Sequence, residues 1–94
     1  KTQDLDISDN NIGSRAAKAI FSGLRWNMAL STVCMQGNGI KDVATGPLKD
    51  AIARCTSLTT LNLSFNEIGD GGAASIAAGM VDARQLSTLC LAWN

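Results

Sequence analysis

The chain has 94 residues, 46% of them apolar, with eight basic and eight acidic side chains and no formal net charge. That length supports one small domain, and no apolar run approaches the ~18 residues of a membrane-spanning helix. Balanced charge leaves no electrostatic footprint for nucleic acid or an anionic membrane, and the lack of any histidine excludes His-based acid–base catalysis, His triads and His-containing metal sites.

The opening ten residues are polar and already patterned, without the apolar stretch of a signal peptide. Leu5 and Ile7 alternate with polar residues, the period of a half-buried strand, and Asn10 and Ile12 follow. The period then becomes helical: Ala16, Ala17, Ile20 and Leu24 share one face, and Trp26 stands near the helix end between Arg25 and Asn27. The same order begins again with Leu30, Val33, Met35, Asn38 and Ile40. Here Gly46 and Pro47 disfavour an early helix, so the spacing predicts one that starts near Pro47 and runs to about Arg54. A third unit runs through Leu58, Leu61, Leu63, Asn66 and Ile68 to a helix over Gly72, Ala73, Ile76, Ala77 and Met80. Leu86, Leu89, Leu91 and Asn94 open a fourth. Ser14, Asp42 and Asp70 occupy one register just before the helical stretches, where their side chains are expected to act as N-caps.

Asn10, Asn38, Asn66 and Asn94 recur at a spacing of 28, and LSTVCM from Leu30 returns as LSTLCL from Leu86. The pattern L-x-x-L-x-L-x-x-N-x-I followed by a helix resembles the leucine-rich repeat of the ribonuclease-inhibitor-like class, over the whole chain. That resemblance implies an α/β solenoid, a right-handed β-α superhelix with parallel strands on the concave face and helices on the convex face. One such unit cannot bury its apolar stripe alone, so Leu5, Ile7, Ile12, Ile20 and Leu24 and their equivalents are expected to form a shared core. The repeated Asn is read as structural, its amide pairing with turn backbone that has no ladder partner. Thr2 falls in the register of Leu30, and neither end carries the polar cap of a solenoid. Residues 1–94, about three units and a final strand, are therefore expected to belong to a longer solenoid.

If the L-x-L side chains are buried, those between them point outward. They form three rows: Asp4, Thr32, Thr60 and Thr88; Asp6, Cys34, Asn62 and Cys90; and Ser8, Gln36, Ser64 and Ala92. In this family the concave surface is a usual partner site, which makes Asp4, Asp6, Gln36, Thr60, Asn62, Ser64 and Thr88 the candidate contacts. Trp26, Phe65 and Trp93 are candidate aromatic anchors, with packing on the neighbouring unit the favoured role of the last two and Trp26 the one expected to be exposed. Ala74, Ser75, Ala78 and Val81 make the outer face of the third helix low in charge, a hint of a covered surface.

Chemical motifs fail on inspection. Asp4, Asp6 and Ser8 imitate the start of a calcium loop, but Asp9 stands at its glycine and Arg15 at its bidentate Glu. Gly37 and Gly39 begin a dinucleotide fingerprint that Asp42 ends, no P-loop occurs, and no basic partner is placed to activate a Ser or Cys. Strand spacing puts Cys34 and Cys90 beyond disulfide reach, so all three cysteines, with Cys55, are expected to be free, as suits an intracellular, cytoplasmic location. A cytoskeletal or ciliary assembly is among the settings the resemblance suggests. The reading is a non-enzymatic protein–protein interaction module, a scaffold or regulatory subunit of a larger assembly. It needs no cofactor, metal, nucleic acid, membrane or small-molecule substrate. The alternatives are a GTPase-activating-type regulator, since such proteins carry similar repeats, and a segment of a ligand-sensing receptor.

Overall fold

The computed structural model describes residues 3–83 and 85–94, so Thr2 and its register lie outside the described residues. Strand and helix alternate: β1 (Gln3–Asp6), α1 (Gly13–Leu24), β2 (Leu30–Cys34), α2 (Thr45–Arg54), β3 (Thr60–Asn62), α3 (Asp70–Met80) and β4 (Thr88–Cys90). The strands form one parallel sheet in the order β1-β2-β3-β4, and each helix returns the chain to the start of the next strand. The register repeats the 28-residue offset. Leu5 pairs with Val33, Val33 with Leu61, and Leu61 with Leu89, while a bulge between Gln3 and Asp4 shifts Gln3 onto Leu30.

The core lies between sheet and helices. Val33, Met35, Ile40, Leu48, Leu61, Leu63 and Ile76 are at most 1% exposed, each being an expected core position of the second or third unit. In the end units the same positions are covered on one side only, and Leu5, Ile7, Ile12, Ile20, Met80, Leu89 and Leu91 are partly buried against the core. Ala17, expected on the apolar face of α1, and Phe21, which the repeat did not announce, are fully buried as well. They belong to the helix face turned toward the following unit, and their equivalents in α3, Ala73 and Ala77, are exposed.

The capping expectation is corrected. No helix is capped by its own side chain, and α1 begins at Gly13, before Ser14. Ser14 Oγ instead accepts the Lys41 amide at 2.9 Å, and Asp42 Oδ1 accepts the Gly69 amide at 2.6 Å. Each polar residue thus serves the next unit rather than its own. For Asp42 the amide belongs to the residue just before α3, so the carboxylate sits at the positive end of that helix. A Cβ at Gly72 would collide with this carboxylate and with Ile68, which explains a glycine in the first turn.

The second helix starts late, two residues before Pro47, which is a first-turn residue as expected. A 3-10 turn over Asp42–Ala44 leads into α2 at Thr45, and the Thr45 hydroxyl donates to the Asp42 carbonyl at 2.7 Å. Pro47 is the third residue of α2, within the first turn, where its missing N–H breaks no intrahelical bond. The end at Arg54 is as expected.

Behind each strand the asparagines form the ladder that their spacing implied. Asn38 Oδ1 accepts the amides of Asn10 and Ile12, and Asn66 Oδ1 those of Asn38 and Ile40. Each Nδ2 donates to turn carbonyls of its own unit, and Asn38, Asn66 and Asn94 reach the preceding one as well. Asn38 is fully buried and Asn66 is 7% exposed, so these amides satisfy backbone groups that water does not reach.

Candidate interaction surface

With Leu5, Val33, Leu61 and Leu89 turned to the helices, the intervening strand residues lie on the opposite face. Strand pairing sets the first two rows as expected: Asp4, Thr32, Thr60, Thr88 and Asp6, Cys34, Asn62, Cys90. Asp4, Asp6 and Thr88 are exposed, whereas Thr60, Asn62 and Gln36 are half-buried. Ser64 departs from expectation: it is only 6% exposed. It stands past the end of β3, and its amide donates to Asn62 Oδ1 at 3.0 Å. It is not a contact residue in this conformation.

The polar rows are cross-linked. Asn62 Nδ2 donates to Gln36 Oε1 at 2.9 Å, joining two rows and linking β3 to the turn after β2, a link that sequence spacing did not suggest. Two units away the Ser8 amide donates to Asp6 Oδ1 at 3.0 Å, the same turn that Asn62 makes with Ser64. The Ser8 hydroxyl and amide together hold the Asp6 carboxyl below its usual range. Cys34 lies on the same face, and burial, followed by the negative charges of Asp6 and Asp4, pushes its thiol upward. That favours the less nucleophilic protonated form. All three cysteines are free, Cys55 being buried at the end of α2.

The turn after each strand needs one residue in the left-handed region. Asp9, Gly37, Phe65 and Trp93 fill that place, with φ between 57° and 68°. At Gly37 a Cβ would strike the Asp9 carboxylate, so glycine meets both demands. Phe65 and Trp93 carry large side chains where the left-handed conformation costs roughly 1–2 kcal/mol for an L-residue. Their rings stack on each other at 6.0 Å with an interplanar angle of 18°, the neighbour packing expected of them. They remain 57% and 76% exposed at the lip of the sheet face.

Trp26 is 74% exposed, as expected, and lies away from the strands on the loop after α1. Arg25 holds its guanidinium carbon 4.6 Å from the Trp26 ring centroid. Met28, which the sequence did not single out, is 83% exposed. On the outer face of α3, Ala74, Ala78 and Val81 are exposed and Ser75 is half-buried. No helix among the described residues is long and apolar enough to cross a membrane.

Four parallel strands in a fixed register, three covering helices and an asparagine ladder define a leucine-rich-repeat solenoid. The Leucine Rich repeat family model matches residues 3–21 and 54–77. The chain is 31% identical to the ribonuclease inhibitor of Sus scrofa over 91 residues, 95% of this chain and 20% of that protein. Among solved structures, a chain described as Leiomodin-1 Actin-Binding Site 2 superposes with a TM-score of 0.86 at 16% identity, covering 92% of this chain and 50% of that one. The chain thus spans about a fifth of the curated relative and half of the structural neighbour. Its fold is that of a leucine-rich-repeat solenoid, and its sequence is similar to the ribonuclease-inhibitor-like class of these repeats.

Proposed function

We propose that this chain is a non-enzymatic protein-binding module that takes its partner on the strand face. The observation that carries this reading is the Phe65–Trp93 stack. Two aromatic side chains are held in a backbone conformation that disfavours them and are left largely exposed, so neither local preference nor core burial accounts for them. Their mutual stacking accounts for their packing, and the area it leaves exposed suits binding, because a rigid exposed aromatic supplies contact area at small entropic cost. Beside the stack, Asp4, Asp6, Thr60, Asn62 and Thr88 on strands, and Gln36 just past β2, offer polar groups that keep their spacing when a partner docks. Ser64 is not among these contacts. The 31%-identical relative is named as an inhibitor and the structural neighbour as an actin-binding segment, and both names are in keeping with a binding role.

The wider setting is part of the same proposal. The 94 residues act as one stretch of a longer solenoid, as the fivefold longer relative suggests. The whole serves as a scaffold or regulatory subunit in an intracellular, cytoplasmic assembly. Free thiols at Cys34, Cys55 and Cys90 suit a reducing compartment.

The test is a partner-capture comparison by quantitative mass spectrometry among the wild-type chain, Trp93→Ala, Thr60→Lys and Val81→Lys, each first shown to be folded by circular dichroism. The strand-face reading expects Trp93→Ala and Thr60→Lys to lose specifically captured proteins at least tenfold while Val81→Lys keeps them. Loss with Val81→Lys alone would move the site to the helices and overturn it.

A further inference from the structure

A second surface stands apart from the strand face. We propose that the loop after α1 and the end of α2 form a docking site for a polypeptide segment in which carboxylates flank one apolar side chain. Two adjoining hollows meet there, of about 440 and 380 Å³, and both are lined by Arg25 and Trp26. The first opens toward Pro47 and Asp50, the second toward Met28, Arg54 and Thr56.

The backbone that carries the aromatic is fixed before any partner arrives. Trp26 donates its amide to the Gly23 carbonyl and Asn27 donates to Leu24, closing α1. Asn27 Oδ1 then accepts the amides of Ala29 and Leu30, each at 2.8 Å, and its carbonyl accepts from Cys55 and Ser57 of the next unit. A loop this well bonded loses little freedom on docking, so its exposed Trp26 and Met28 are preorganised apolar ground.

Charge decides the occupant. The second hollow is lined by two guanidinium groups and no carboxylate, and Asp50 is the lone acid on the first. Arg25 rests on the Trp26 ring, yet its Nε is buried without a hydrogen-bond partner, so the donor has been withdrawn from water and not repaid. An incoming carboxylate suits the two guanidinium groups of the second hollow, since it accepts from their planar forks in a way a neutral group does not. Trp and Arg together are also the residues most enriched where binding energy concentrates. Two arginines fall short of the roughly four to eight basic residues that hold proteins on anionic lipid, which favours a peptide over a membrane.

The probe is a fluorescein-labelled heptapeptide with a single Phe at its centre and glutamates on both sides, compared by fluorescence anisotropy with its glutamine-substituted form. Saturable binding of the acidic peptide, at least tenfold tighter than the glutamine form and weakened by added salt, is the expected result. Trp26→Ala and Arg54→Ala should each weaken it at least fivefold, and Val81→Lys should leave it unchanged. All three positions are exposed, and circular dichroism verifies the fold of each variant. Equal binding of the two peptides, no saturation up to millimolar peptide, or indifference to both loop variants would overturn the proposal. So would a Trp26-dependent dimer in sedimentation of the free chain, or Trp26-dependent retention on phosphatidylserine vesicles, since these assign the surface to a second copy or to a membrane. The strand-face reading stands or falls separately.

Discussion

Asn66 makes five side-chain hydrogen bonds, all to backbone. It accepts from Asn38 and Ile40 and donates to Met35, Leu63 and Ser64. A single amide carrying both a carbonyl and two N–H groups is what this place requires, because donors and acceptors of two units converge there. Aspartate would keep the acceptor and lose the donors, and leucine would lose both. Asn10 is the same residue type in the same register, but it is exposed and its side chain donates only to Ile7 and Ser8. Net worth per bond is about 1 kcal/mol, more where truncation strands a buried group. Asn66→Ala should therefore lower unfolding free energy by about 3 kcal/mol and Asn10→Ala by about 1 kcal/mol, measured by urea denaturation. Equal losses would show that the ladder's burial gradient has no energetic weight. The recurrence of Asn at 28 residues made this role legible in the sequence. The service of Ser14 and Asp42 to the following unit was not legible, because a helix N-cap and an inter-unit clamp use the same residue types at the same place.

At the scale of elements, helix spacing depends on small residues. Gly23, Ala51 and Gly79 share one register, on the side of each helix that faces the preceding unit. A Cβ at Gly79 would lie 2.7 Å from the Lys49 carbonyl oxygen, so the backbones of α2 and α3 approach too closely for a side chain there. At Gly23 nothing lies within 4 Å, because among the described residues no helix precedes α1. The two glycines are thus a matched pair. Gly79→Ala should destabilise the chain by about 1–3 kcal/mol through overpacking, despite alanine's better helix propensity. Gly23→Ala should stabilise it by about 0.5–1 kcal/mol, since only propensity acts there. Thermal unfolding of both variants checks the pair, and a stabilised Gly79→Ala would mean that α3 can slide away from α2. Periodicity shows that these positions are small. It does not show which of them touches a neighbour's backbone.

Across the whole molecule, the units are alike in sequence and unlike in environment. Val33 and Leu61 lie on strands paired on both sides and are fully buried, whereas Leu5 and Leu89 lie on the outer strands and are half-buried. Full burial of a Leu or Val contributes about 1.5–3 kcal/mol, and partial burial proportionately less. In a solenoid, stability is close to a sum of unit and nearest-neighbour terms, so opening should begin at the ends. Amide hydrogen exchange on this 94-residue chain should be slowest at Met35, whose amide bonds to the Asn62 carbonyl of β3, and at least tenfold faster at Leu63 and Thr88, whose bonds to Cys90 and Thr59 break when β4 opens. Uniform protection would mean that the chain opens as one cooperative block instead.

The repeat itself, its strand-to-helix order, the strand register and the buried L-x-L positions of the two inner units were all determined by sequence, because a shared 28-residue spacing leaves one way to stack the apolar stripes. The concave rows followed from the same arithmetic, save at Ser64, which is buried. Tertiary structure alone decided the rest. The half-buried state of the end units depends on having one neighbour rather than two, which no local pattern records. The Arg25–Trp26 surface depends on where a helix end meets the following unit. Periodicity specifies what each unit must bury; contact between units specifies what is left exposed, and binding depends on the second.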